Sequence, residues 1–141
     1  MTKNPVEIQT DDVYIQSKID KVFLKDLIFP FETIHLPAYK PIYCTKKSLD
    51  GIIEKGGSIS LALFKQKTIV GLAILDYPDE KVIWAHSNRE SIMELKAVEV
   101  LREFRNRGIA RQLMVRLFSD SFVEEKIIYL TAYSWIWDLA Y

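Results

Sequence analysis

The sequence predicts a mixed α/β fold, in which a twisted sheet carries helices on its faces. Two observations support this prediction. Two apolar runs, SISLALFK at 58–65 and TIVGLAILDY at 68–77, are separated only by Gln66-Lys67, as in a β-hairpin. A strand-like segment at 92–101 is followed by a helical pattern and then by an apolar run at 127–132. Strand, helix and strand in this order are typical of α/β sheets.

The size and charge of the chain favour one globular unit. Its 141 residues suit a single domain, and no repeat or linker divides residues 1–141. Nineteen basic residues balance nineteen acidic ones, which argues against nucleic acid or an anionic membrane as a partner. The start of the chain lacks the apolar stretch of a secretory signal, and its single cysteine cannot form an internal disulfide. We therefore expect a cytoplasmic protein.

The first half of the chain predicts one strand and two helices before the hairpin. Alternating residues at 13–17 are typical of a strand. Asp20 is expected to cap a short helix that runs through about Leu27. Thr45 is expected to cap a second helix, which ends at Gly56-Gly57.

The second half changes from strand to helix at a glycine. Apolar residues recur at helical spacing over 108–119, which predicts an amphipathic helix. A helix N-terminus presents unpaired backbone N–H groups and the positive end of the helix dipole, so it attracts anions. Glycine lets the backbone approach the anion, and the nearby arginines add positive charge. The sequence therefore predicts a phosphate or pyrophosphate site formed by Arg105, Asn106, Arg107, Gly108, Ile109, Ala110 and Arg111.

Other kinds of site have less support. The chain contains neither G-x-x-x-x-G-K-[ST] nor G-x-G-x-x-G, so nucleotide hydrolysis and dinucleotide binding are disfavoured. His35 and His86 do not have the spacing of metal ligands, and no metal site is predicted. The arginine-rich helix would also suit a small nucleic-acid-binding domain, an alternative that the balanced net charge disfavours.

The segment Arg105-x-x-Gly108-x-Ala110, between a strand and an amphipathic helix, resembles the [RQ]-x-x-G-x-[GA] motif of the GNAT acetyltransferases. More specifically, ELKAVEV at 94–100 and TAYSWIWDL at 131–139 resemble the acetoin-utilisation acetyltransferase (AcuA) family. The resemblance implies a GNAT-like acyl-CoA N-acyltransferase fold and acetyl-CoA as co-substrate, with its pyrophosphate held at this turn. It also implies acetylation of a protein lysine, with acetyl-CoA synthetase as the associated partner.

Such a reaction needs a base, because a lysine amine has a pKa of about 10.4 and arrives protonated at neutral pH. Glu94 lies eleven residues before Arg105, the spacing at which histone-type members of the superfamily carry a glutamate base. The resemblance therefore makes Glu94 the first candidate. Met93 and Leu95 are expected to form an apolar wall beside it.

Glu99 is the competing base, and it would lie on the opposite face of a regular strand. Only a bulge would bring Glu94 and Glu99 to the same side, and the resemblance implies a bulge in this strand. The backbone N–H groups of Val98 and Val100 would then bind the pantetheine arm and stabilise the oxyanion.

The chain is shorter than the resemblance implies. GNAT members usually have a helix after the strand at 127–132, with a tyrosine that protonates the thiolate, and two further strands. The chain ends before that helix, so we expect the last helix and strands to be missing. Three interpretations stay open, namely a fragment, a homo-oligomer in which another subunit completes the cleft, and a degenerate member. The alternative function is a non-catalytic acyl-CoA-binding module or subunit.

Overall fold

The computed structural model describes residues 12–30, 45–78, 91–119 and 123–131. Within these ranges the predicted mixed α/β fold is confirmed. Most of TAYSWIWDL, together with Cys44, His35 and His86, lies outside the described residues. The elements in chain order are β1 (Val13–Gln16), α1 (Lys21–Lys25), α2 (Lys46–Glu54), β2 (Ser58–Phe64), β3 (Thr68–Asp76), β4 (Ile92–Val100), a 3-10 turn (Arg102–Phe104), α3 (Ile109–Phe118) and β5 (Ile127–Tyr129).

All five of these strands form one sheet, in the order β1-β2-β3-β4-β5. The first four pair antiparallel with their neighbours, and β5 pairs parallel with β4. A parallel neighbour requires a crossover connection, which contains α3. The sheet is therefore mixed, and its parallel part lies at the segment that carries the predicted anion-binding turn.

Local signals set the ends of the first two helices. The side chains of Asp20 and Thr45 accept hydrogen bonds from the backbone N–H three residues further on, at 2.7 and 3.1 Å. Both predicted caps are therefore confirmed. Helix α2 ends in a Schellman arrangement, in which Gly56 adopts a φ of 84° that glycine tolerates without strain. Helix α1 ends at Lys25, slightly earlier than predicted.

The predicted hairpin is confirmed, although its turn begins one residue earlier than expected. Strand β2 ends at Phe64, and Lys65 and Gln66 both have positive φ, of 51° and 62°. These left-handed residues provide the twist that hairpin turns need, without an Asn-Gly pair. The register then skips Val70, which is the extra residue of a bulge in β3.

The sheet separates two apolar layers. One layer lies beneath α1 and α2 and includes Leu24, Leu49, Leu61, Leu72 and Ile74. The other lies beneath α3 and includes Ala73, Leu75, Met93, Val100, Ile109 and Leu113. Both faces of the central strands are therefore buried, which holds β3 and β4 firmly in place.

Two glycines at α2 provide a matched test of this packing. A Cβ added to Gly57 would lie 2.6 Å from Ile52 Cγ2 and 2.8 Å from the Leu75 carbonyl oxygen. Because backbone cannot easily move aside, Gly57→Ala is expected to lower the free energy of unfolding by about 1–3 kcal/mol.

Gly51 lies inside α2, where an added Cβ would meet no described atom within 4 Å. Gly51→Ala should raise the free energy of unfolding by up to about 1 kcal/mol, because alanine is the better helix former. Urea denaturation of both variants and the parent checks the pair. Equal effects of the two substitutions would contradict the described packing.

Candidate functional site

Strand β5 pairs with β4 only over the first three residues of β4. The parallel register joins Ile92 to Ile127, Met93 to Ile128 and Glu94 to Tyr129. No later pair joins them among the described residues, although β4 continues to Val100. We call the edge of β4 opposite β3, from Leu95 to Val100, the β4–β5 opening. A ligand that carries its own amide groups could add to the sheet there.

The backbone of β4 offers polar groups to this opening. The Leu101 N–H donates to the Val70 carbonyl at 2.8 Å, so it points towards β3. Because directions alternate along a strand, the N–H and C=O groups of Val98 and Val100 point the other way. The Val100 carbonyl indeed accepts a hydrogen bond from Arg105 Nε at 2.9 Å. The two amides predicted to bind the pantetheine arm therefore face the β4–β5 opening.

The predicted anion-binding turn ends at the N-terminus of α3. Gly108 is the N-cap and has a φ of 75°, a left-handed conformation that is strained for other residues. No side chain among the described residues caps this helix, and the backbone N–H groups of its first turn belong to Ile109, Ala110 and Arg111. A Cβ added to Gly108 would meet no described atom within 4 Å, so an anion could approach these amides.

The three arginines of the turn differ in their surroundings. Arg105 is half-buried and ties the turn to the end of β4 through the Val100 carbonyl. Arg107 places its guanidinium carbon 5.8 Å from the centre of the Phe104 ring, and Asn106 between them has a φ of 63°. Arg111 is exposed in the first turn of α3. Arg111 is therefore the arginine best placed to meet a ligand at the helix terminus.

Strand β4 contains the expected bulge. Leu75 pairs with Leu95 and Ile74 with Ala97, so Lys96 is the extra residue. Residues that pair across two strands share a face of the sheet. Glu94 pairs with Asp76, and Glu99 pairs with Leu72 from the layer beneath α1 and α2. The bulge therefore brings both candidate bases to the face of the sheet on which α1 and α2 lie, called the α1–α2 face. This agrees with the bulge that the resemblance implied.

Two described side chains, those of Lys96 and Tyr129, contact the carboxylate of Glu94. Lys96 Nζ lies 3.1 Å from Glu94 Oε2, and the Tyr129 hydroxyl donates to the same oxygen at 3.2 Å. The Glu94 side chain is 16% exposed. Met93 and Leu95 pack in the layer beneath α3, on the other face, so the predicted apolar wall beside Glu94 is wrong. Alternation along the strand explains the error, because neighbours in sequence point to opposite faces.

Sequence reasoning missed the contributions of Lys96 and Tyr129. Lys96 reaches Glu94 because it is the bulged residue, and Tyr129 does so because β5 pairs in register with β4. Neither the position of the bulge nor the register of a parallel pair can be read from local spacing. The acidic residue at the end of the apolar run 68–77 was a visible signal for a third group, Asp76.

Asp76 is a buried carboxyl beside Glu94. Asp76 lies on the α1–α2 face of the sheet, and only 4% of the residue is exposed. Burial raises the pKa of Asp76 above its ordinary value, and the nearby Glu94 carboxylate raises it further. The Tyr77 N–H, which donates to Asp76 Oδ1 at 2.8 Å, and the charges of Lys96 and Lys55 lower it in part.

These features are matched by a known protein family. The acetyltransferase (GNAT) family matches residues 22–135, and the chain belongs to this family. Acetoin utilization protein AcuA of Bacillus licheniformis is 34% identical over 144 residues, which cover 98% of this chain and 65% of that protein. The chain thus spans about 65% of the length of this relative.

Solved structures agree with this assignment. The crystal structure of the acetoin utilization protein from Exiguobacterium sibiricum has a TM-score of 0.73 and 26% identity, covering 91% of this chain and 59% of that chain. AAC(6')-Iy in complex with the bisubstrate analog CoA-S-monomethyl-acetylneamine has a TM-score of 0.56 and 16% identity, covering 86% of this chain and 80% of that chain. The second likeness shows a shared fold.

The described ranges contain neither a membrane-spanning helix nor a metal-binding cluster. None of the helices in these ranges is both long and apolar enough to cross a membrane. No cluster of three or more His, Cys, Asp or Glu residues in the same ranges could hold a metal ion.

Asp76 generates a prediction about pH. Because its pKa in the folded state lies above the ordinary value of about 3.9, its protonated form favours the fold. That contribution is complete below the ordinary value and is lost as the pH rises through the folded pKa. Asp76→Asn cannot ionise, so its stability relative to the parent protein should improve as the pH rises from about 4.

Urea denaturation of Asp76→Asn and the parent over a pH series measures this difference. Glu54→Gln is the control, because Glu54 is an exposed carboxylate that pairs with Lys21 and has a lowered pKa. Glu54→Gln should therefore become less stable relative to the parent as the pH rises. A difference for Asp76→Asn that favours the parent as the pH rises would contradict the buried environment of Asp76.

Proposed function

We propose that this protein is an acetyl-CoA-dependent N-acetyltransferase whose acceptor is a lysine side chain of a partner protein. The observation that carries the proposal is the β4–β5 opening. It has the Glu94 carboxylate at one end and, at the other, a helix N-terminus that no described side chain caps. Membership of the GNAT family supports acetyl transfer as the reaction. We extend the proposal to acetyl-CoA synthetase as the acceptor, because the resemblance of the sequence to the AcuA family implies it.

Acetyl-CoA would lie along β4 in an extended form. Its pantetheine arm would receive hydrogen bonds from the Val98 and Val100 amides, which continue the pattern of a sheet. Its pyrophosphate would bind the first-turn amides of α3 beside Gly108, with Arg111 supplying a charged hydrogen bond. Arg105, Asn106 and Arg107 shape this turn, and Arg105 anchors it to β4.

The reaction would be a direct attack of the amine on the thioester carbon. Glu94 would accept a proton from the lysine ammonium, either directly or through water, and thus produce the neutral nucleophile. The amides that face the opening would stabilise the negative charge on the tetrahedral oxygen. Coenzyme A would then leave as a thiolate that takes up a proton. No covalent enzyme intermediate is required.

The charge of the α1–α2 face suits a cationic acceptor. Asp76, Glu94 and Glu99 all lie on this face of β3 and β4. Lys96 offsets part of this negative charge, and an approaching lysine ammonium would be attracted by the remainder. Glu99 is the alternative base, because the bulge brings it to the same side as Glu94. A non-catalytic acyl-CoA-binding module is the rival function, and it would bind acetyl-CoA without transferring the acetyl group.

Acetyl-CoA binding can be tested with variants of two arginines in helix α3. Arg111 lies in the first turn of α3 and Arg116 in the last turn, and both are exposed. Arg111→Ala should weaken acetyl-CoA binding about 10- to 100-fold, because a charged hydrogen bond contributes about 1.5–3 kcal/mol. Arg116→Ala should bind like the parent. Calorimetry measures both affinities.

Pantetheine, which lacks the pyrophosphate, provides the ligand control for this experiment. Its binding should be the same in the parent and in both variants. An equal loss of acetyl-CoA binding in the two variants would contradict a pyrophosphate at the N-terminus of α3. A ligand that binds only the folded state, at 100 times its dissociation constant, raises the free energy of unfolding by about 2.7 kcal/mol. An increase of this size with acetyl-CoA would establish that acetyl-CoA binds.

Catalysis can be tested by a matched pair of glutamates on β4. Glu94→Gln should lower kcat about 100-fold or more with Nα-acetyl-lysine as acceptor, because it removes the base. Acetyl-CoA affinity should not change. Glu99→Gln should retain most of the activity. Release of coenzyme A thiol measures turnover.

The reverse ranking of the two glutamate variants would assign the base to Glu99. If the parent protein binds acetyl-CoA but produces neither acetylated amine nor free thiol, the acyl-CoA-binding module is the correct function.

A further inference from the structure

Lys96 already occupies the position that an acceptor lysine would need. Its ammonium lies 3.1 Å from Oε2 of Glu94, the carboxylate proposed to remove a proton from the acceptor. Lys96 is also the bulged residue of β4. In sequence it lies between Glu94, the last residue paired with β5, and Val98, whose amide faces the β4–β5 opening. The chain thus places a primary amine of its own beside the proposed base, on the strand whose edge is proposed to bind the thioester.

Lys96 is held in direct contact with a proton acceptor, unlike an ordinary surface lysine. Its side chain is 19% exposed, and the Asp76 and Glu94 carboxylates are both near enough to interact with it electrostatically. A lysine must lose its proton before it can attack a thioester, and Glu94 is in direct contact to accept that proton. A mobile surface lysine would have no such partner held in place.

We infer that Lys96 is a self-acetylation site of this protein. The inference rests on the proposed function. The Lys96 ammonium loses one proton to Glu94, and the neutral nitrogen attacks the thioester carbon of acetyl-CoA. A C–N bond forms, the C–S bond breaks, and coenzyme A leaves as a thiolate that takes up a proton. The products are ε-N-acetyl-Lys96, free coenzyme A and one released proton.

Self-acetylation would change the charge at the site. Acetylation removes the positive charge of a lysine and with it the ion pair to a carboxylate. Glu94 would then lose its cationic partner on β4 and keep the hydrogen bond from Tyr129. The modified form would therefore present a more negative face to an external lysine.

Peptide mass spectrometry after incubation with acetyl-CoA tests the inference. Lys96 should gain an acetyl group on nearly every chain, at a rate per chain that does not change on dilution. Glu94→Gln should slow this modification about 100-fold. Lys96→Arg keeps the positive charge, cannot accept the acetyl group at this position, and should unfold at the same urea concentration as the parent.

Lys21 is the matched control lysine within the same sample. It also pairs with a glutamate, Glu54, but it is 45% exposed and lies at α1. Simple chemical acetylation would modify the exposed Lys21 faster than Lys96 and would persist in Glu94→Gln. That pattern would overturn the inference.

Nα-acetyl-lysine in the same reaction separates this inference from the proposed function. If the free amine is acetylated and Lys96 is not, self-acetylation is wrong and the acetyltransferase function stands. If neither is acetylated although acetyl-CoA stabilises the protein against heat, both are wrong.

Discussion

The bulge at Lys96 is the constraint on which the site depends. Strand β4 must pack Val98 and Val100 against α3 and also present carboxylates on the opposite face. In a regular strand, Glu94 and Glu99 would point to opposite sides of the sheet. One extra residue reverses the alternation between them, so both lie on the α1–α2 face while the apolar residues beyond the bulge stay beneath α3.

The position of β4 in the sheet explains why such a strand can serve a ligand. On one side it pairs with β3 from Glu94 to Val100, apart from the bulged Lys96, and apolar layers cover both faces of β3. On the other side its described pairing with β5 ends at Glu94. The backbone amides beyond that point are thus held by a rigid core, and no described residue of β5 pairs with them. Groups fixed in this way need little reorganisation when they bind a ligand.

Much of the architecture was predictable, because it follows from local chemistry. The caps at Asp20 and Thr45, the hairpin and the amphipathic helix at 109–118 are all encoded in short segments. Gly108 was also informative about the start of α3, since few residues other than glycine adopt the left-handed conformation found there. The family could be inferred from this turn and from the strand before it, and the comparison with known proteins confirms it.

The surroundings of the proposed base were not predictable from local pattern. The contacts of Glu94 with Lys96 and Tyr129 depend on a bulge and on the register of a parallel pair, which are set by the whole sheet. The wrong prediction of an apolar wall had the same origin, because sequence neighbours were assumed to be spatial neighbours. The buried Asp76 was missed since its importance comes from the strand that pairs with it.

The central claim is that acetyl-CoA binds along β4 in the β4–β5 opening and reaches the N-terminus of α3. Amide hydrogen exchange, measured residue by residue with and without acetyl-CoA, tests this most directly. The account predicts slower exchange at Val98, Val100 and the first-turn amides of α3. It predicts a smaller slowing at Leu101, whose N–H is already bonded to β3 and therefore responds only to the overall stabilisation by the ligand. Unchanged exchange at Val98 and Val100 under saturating acetyl-CoA would contradict the account.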